Sequence, residues 1–112
     1  MSSSKRESSR LAALEAADAV VSGRLGIIEG CRRLRELGLD LVPDARIDND
    51  FVVFDAVDSE TDALPIGSAR QHWEPAALHR EDEKIEHAEA KYRDEVVAAC
   101  RNLINRFKNV QY

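Results

Sequence analysis

The 112-residue chain is 44% hydrophobic, 33% charged and only 5% aromatic, which suits one domain with one modest core and argues against sandwiches and barrels. The net charge of −5 comes from the centre of the chain: residues 47–66 hold six acids and no base, whereas residues 1–46 carry eight bases to seven acids and residues 67–112 eight of each. A nucleic-acid-binding face requires the opposite sign, no apolar run approaches membrane-spanning length, and the first residues lack the apolar stretch of a signal peptide, so a cytoplasmic protein binding neither nucleic acid nor membrane is expected.

Residues 1–7 are polar and small and predict a disordered tail, leaving residues 8–112 as a single helical domain. Ser8 or Ser9 can cap a first helix in which Leu11, Leu14, Ala17 and Val21 recur at three- and four-residue steps. Ser22 and Gly23 interrupt it. A second helix is predicted from about Leu25 to Leu37, with Ile27, Cys31 and Leu34 along one side and Gly38 as its stop. Gly26 and Gly30 fit no phosphate-loop spacing and follow no strand, so they read as a smooth strip for close helix packing. Pro43, Asp44, Asp48, Asn49 and Asp50 mark a loop.

The stretch Phe51–Leu64 is apolar enough for a strand buried on both faces, but no sheet neighbours are evident. Coiled, it places Val52, Val53, Phe54, Ala56 and Val57 on one arc and Asp48, Asp55, Asp58 and Asp62 on the opposite side around an exposed Phe51. The helix is the better reading. Pro65 and Gly67 then turn the chain, Ser68 and Gln71 have capping-box spacing, and Trp73 with Leu78 can staple the start of a last helix opened by Pro75. From Pro75 to about Lys108 there is no Gly or Pro. At 1.5 Å per residue this segment spans on the order of 50 Å, beyond the roughly 30 Å width of a small domain. The predicted fold is an all-α bundle of four or five helices with a long C-terminal helix.

The long helix carries a seam of Leu78, Asp82, Ile85, Glu89, Tyr92, Val96, Cys100 or Ala99, Leu103, Phe107 and Val110, the last of which lies outside the residues the structure describes. Asp82 and Glu89 are its two acids, and on an otherwise buried seam each needs a partner, with Arg32, Arg33, Arg35 and Arg70 as candidates. They lie about 10 Å apart along the axis, too far to chelate one ion unaided. His79, Glu83 and His87 share a face at steps of four, but the outer two are about 12 Å apart and no third ligand is fixed by spacing. No metal or other cofactor is expected. No nucleophile elbow is present, neither Cys31 nor Cys100 has a nucleophile's context, and both cysteines read as reduced core residues, so no catalytic residue is assigned.

Ser59-Glu60-Thr61-Asp62-Ala63-Leu64-Pro65-Ile66-Gly67, followed by Arg70 and Trp73, forms the pattern S-E-T-D-x-L-P-x-G-x-x-R-x-x-W ahead of a long helix. Over residues 51–107 this resembles short uncharacterised bacterial proteins. The resemblance implies a compact bacterial domain and brings no activity, cofactor or catalytic residue with it. Physically the block reads as a latch in which Arg70 reaches back to Glu60 or Asp62.

The function expected from these features is a non-catalytic interaction or regulatory module. Its acidic surface, built from Asp48, Phe51, Asp55, Asp58, Glu60, Asp62, Arg70 and Trp73, would dock a basic protein partner. The alternatives are a homo-oligomeric structural module, most simply a homodimer through the last helix, and a small metal-dependent enzyme.

Overall fold

The computed structural model describes residues 3–108. Four α-helices, α1 (Ser3–Val21), α2 (Ile27–Gly38), α3 (Phe51–Thr61) and α4 (Pro75–Phe107), are joined by loops, with a 3₁₀ segment at Gly67–His72. No strand occurs among the described residues. The architecture is the expected all-α bundle with a long final helix. Helices α2 and α4 each pack against the other three.

The core is built from alanines and valine on α1 (Ala13, Ala17, Val20), Ile27, Cys31 and Leu34 on α2, and Phe51, Phe54 and Val57 on α3, closed by Val96, Cys100, Leu103 and Phe107 on α4. Phe51 stacks edge-on against Phe54 (5.7 Å between centroids) and Phe107 (6.4 Å), so its ring ties α3 to α4. Gly30 and Gly38 let neighbours in. A Cβ at Gly30 would lie 2.3 Å from Val20 Cγ2, and one at Gly38 would lie 2.6 Å from Phe51 Cδ1. These contacts seat α1 and α3 on opposite ends of α2.

Several boundaries and faces differ from expectation. Helix α1 starts at least five residues before Ser8, so residues 3–7 are helical where a tail was expected; Met1 and Ser2 lie outside the described residues. Tertiary bonds hold the first two turns: Arg6 Nη2 donates to the Leu41 carbonyl (3.2 Å) and Ser9 Oγ to Asp40 Oδ2 (2.7 Å). The buried face of α1 is Ala13, Ala16, Ala17 and Val20, whereas Leu11 is exposed. Small side chains let α2 and α4 approach closely, which outweighs burial of one leucine.

Helix α4 runs unbroken for 33 residues from Pro75, which sits in its first turn. The molecule measures 50 × 26 × 24 Å, so one end of α4 stands beyond the bundle. Of the N-terminal half only Ile85 is buried. Trp73 and Leu78, expected to staple this start, are exposed and half-buried respectively.

Candidate functional site

Helix α3 forms as expected, but it is rotated relative to the expected faces. Its buried residues are Phe51, Phe54, Val57 and Thr61, at steps of three and four. Phe51 is completely buried, which corrects its expected role as an exposed anchor. Val52 and Ala56, expected inside, are exposed. The reason is that α3 is apolar nearly all round: the three largest side chains compatible with one face, Phe51, Phe54 and Val57, take the core and leave the rest outside.

The rotation also turns the aspartates toward arginines. Asp55 Oδ1 accepts from Arg35 Nε at 2.8 Å, and Asp58 lies 3.4 Å from Arg32 Nε and 3.6 Å from Arg35 Nε. Arg32 also donates to the Thr61 and Leu64 carbonyls at the end of α3. At the other end, Asp48 receives both guanidinium nitrogens of Arg106 (2.9 and 3.0 Å), and Arg106 also reaches Asp50 at 3.0 Å. The bond from Arg106 is the chief reason the Asp48 carboxyl titrates below the usual carboxylate range, and Asp48 also accepts the amides of Asp50 and Phe51. Four of the six central acids are therefore neutralised by the chain's own arginines, which breaks the expected continuous acidic ridge. Glu60 and Asp62 remain exposed at the C-terminal end of α3, with no ion pair among the described residues.

Arg70 does not latch onto Glu60 or Asp62. It binds Asp82 of α4 through two bonds, 2.7 and 3.2 Å, and the Pro65 carbonyl at 3.3 Å. That bond is the main cause of the lowered Asp82 pKa. Asp82 thus finds one of the expected arginines. Glu89 finds none, and instead accepts the Ile27 amide at the start of α2. Trp73 is partly exposed beside this segment.

Among the described residues no group of three His, Cys, Asp or Glu side chains could hold a metal ion, and no helix is long and apolar enough to cross a membrane. Both thiols are free and fully buried, and burial pushes each up to about 12. A thiol so placed is a poor nucleophile at neutral pH.

What the sequence reading missed is the apolar surface at the α2–α3 corner. Leu39, Ile47 and Val52 are 65%, 77% and 43% exposed, and they fall within one connection and the first turn of α3. Beside them opens a hollow of about 270 Å³, floored by Leu39, Val42, Pro43 and Ala45 and edged by two ion pairs, Asp44 with Arg46 and Asp55 with Arg35. The only sequence signal for this surface was the excess of apolar residues on α3 over what one face can bury.

Residues 3–103 match the family described as a protein of unknown function, DUF2489. The chain belongs to that family. No curated protein and no solved structure matches it. Membership covers the whole bundle from α1 to the last turns of α4, so the α2–α3 corner lies inside the family's extent.

Proposed function

We propose that the chain is a non-catalytic protein-binding module that docks a basic partner on the outer side of α3 and the loop leading into it. The observation that carries this reading is the two-sided apolar character of α3: Phe51, Phe54 and Val57 fill the core while Val52 and Ala56 face solvent, with exposed Leu39 and Ile47 nearby. A helix apolar on both sides is normally covered on both. The free charges on this helix, Glu60 and the adjoining Asp62, are acidic, and residues 47–66 contain no base. A partner presenting basic side chains around an apolar contact complements that surface. The reduced, buried thiols suit a cytoplasmic setting.

Self-association through α4 has less support, because the outward side of its projecting half is polar: His79, Arg80, Glu83, Glu86, His87 and Lys91 are all exposed. The test is affinity capture from a cell extract at low and high salt, with the parent protein and with Ile47→Lys and Val52→Lys, each first shown to be folded by circular dichroism. A basic protein retained by the parent at low salt, released at high salt and lost from both variants is the expected result. An identical set of retained proteins for parent and variants overturns the reading.

A further inference from the structure

We infer that residues 65–73, between α3 and α4, form a hinged cover over a second, small apolar cluster, and that the Arg70–Asp82 pair is its latch. Ile28 on α2 and Ile85 on α4 are buried, yet neither belongs to the main core of the bundle. Glu89, one turn beyond Ile85, meets the Ile27 amide, so both isoleucines lie where α4 crosses the start of α2. The cover reaches the same place from both sides. A Cβ at Gly67 would lie 3.0 Å from Oε1 of Glu29, the neighbour of Ile28, and Arg70 binds Asp82, one turn before Ile85. Pro65, where the segment begins, is buried as well.

The ends of the segment are fixed and its middle is not. Arg32 donates to the Thr61 and Leu64 carbonyls on one side, and α4 begins at Pro75 on the other. Between them no residue of Gly67–His72 is buried. Among the described residues, the one side-chain link from this stretch to a helix is the Arg70–Asp82 pair, whose side chains are 36% and 44% exposed. A 3₁₀ turn has poorer hydrogen-bond geometry than an α-helix, and an ion pair this exposed is weakened by salt. Segments with few buried contacts open without global unfolding. Opening here breaks the latch and bares Ile28 and Ile85, while the main core around Val96, Cys100 and Leu103 stays closed.

The experiment puts a thiol under the cover. Ile28→Cys and Ile85→Cys, each in the full-length chain, are labelled with a chromogenic disulfide reagent at pH 8. Val96→Cys is the main-core comparison, and the parent, whose own two thiols are fully buried, is the blank. The thiols at 28 and 85 are expected to react roughly tenfold faster than the one at 96, because they need only the cover to open. Adding Arg70→Gln is expected to speed both by about threefold, and high salt to do the same where Arg70 is present and little where it is replaced, with the thiol at 96 indifferent to either change. Trp73, the only tryptophan of the chain, gives a second measurement that needs no introduced thiol. Arg70→Gln is expected to raise its quenching by acrylamide and to shift its emission to the red.

Equal labelling rates at 28, 85 and 96 overturn the inference, since the isoleucines would then be reached only through global unfolding. Labelling at 28 and 85 that ignores both Arg70→Gln and salt overturns it too, as does Trp73 quenching that is the same with and without Arg70.

Discussion

Glu89, in the middle of α4, accepts a hydrogen bond from the Ile27 amide at 2.9 Å, so a side chain 62 positions away caps the first turn of α2. Gly26, the residue at the cap position, has no side chain to do this. A Cβ at Gly26 would meet the Glu89 carboxylate at 3.6 Å, ordinary contact, so the carboxylate lies directly over the helix start. An anionic acceptor at a helix N-terminus is favoured by both the unpaired amides and the helix dipole.

Glu89→Ala is therefore expected to lower stability by about 1 kcal/mol, the usual worth of an N-cap. Glu89→Gln keeps an acceptor without the charge and is expected to lose less. Urea unfolding followed by circular dichroism measures both, and a Glu89→Ala midpoint equal to the parent's would show that the bond contributes nothing.

At the two core glycines of α2, packing opposes helix propensity. Replacing Gly by Ala gains about 0.5–1 kcal/mol in a helix interior, but overpacking costs about 1–3 kcal/mol. At Gly38 the obstructing atoms belong to the Phe51 ring, itself set against Phe54 and Phe107. At Gly30 the obstacle is a methyl of Val20, stiff at χ1. Both substitutions are expected to destabilise. In a Val20→Ala background the Gly30→Ala penalty is expected to shrink, since the obstructing methyl is gone, and a double-mutant cycle reads that coupling.

The long α4 and the presence of α3 were legible because each rests on local pattern: a seam at helical spacing and Pro75 at the start. The glycines were legible only in part, since close packing was expected at Gly26 and Gly30 whereas the close approaches fall at Gly30 and Gly38 and Gly26 stands at the cap of α2. The orientation of α3 was not. With Val52, Val53, Phe54, Ala56 and Val57 in one run, periodicity alone ranks several faces nearly equally, and the choice is made by Gly38 opening a space for Phe51. Once Phe51 turns inward, Asp55 and Asp58 face Arg35 and Arg32. The need of Asp82 and Glu89 for partners was visible in sequence, but that Glu89 would use a backbone amide depends on the crossing of α4 over α2. The start of α1 was hidden for the same reason, because Arg6 and Ser9 are held by Leu41 and Asp40. The candidate docking corner was hidden because exposed Leu39 and Ile47 are indistinguishable from core residues until the loop is folded.

Phe51 and Val52 are neighbours in sequence with opposite roles. Phe51→Ala is expected to cost about 3–5 kcal/mol, the range for a buried phenylalanine truncated to alanine. Val52→Ala, at an exposed helical position, is expected to change stability by no more than about 0.5 kcal/mol. Thermal unfolding separates the two. A near-neutral Phe51→Ala would contradict the packing of α3 against α4.

Asp48 ties acid stability to Arg106. Its folded-state pKa lies below the unfolded value of 3.8, chiefly through the Arg106 hydrogen bond. The stabilisation is thus present above that unfolded value and is lost as pH falls through the lower folded one. Arg106→Gln is expected to lower stability at pH 7 and to flatten its decline below about pH 4. Urea midpoints across pH 2.5–7 check this, with parallel profiles for parent and variant as the contrary result.

The buried thiols give the opposite dependence at alkaline pH. Burial raises Cys31 and Cys100 from 9.0 to about 12, and the neighbouring Cys100 adds to the effect on Cys31. Below pH 9 both states hold the thiol proton and there is no penalty. Above it the unfolded chain ionises while the folded one does not, so stability falls as pH rises, by up to about 1.4 kcal/mol per pH unit for each thiol until the folded value is reached. A Cys31→Ala/Cys100→Ala variant, though less stable at neutral pH from lost packing, is expected to decline less between pH 9 and 11. In the native protein a chromogenic disulfide reagent at pH 8 is expected to leave both thiols unmodified, and in denaturant to titrate two. Rapid native labelling would mean that the core around α2 and α4 opens far more readily than its packing implies.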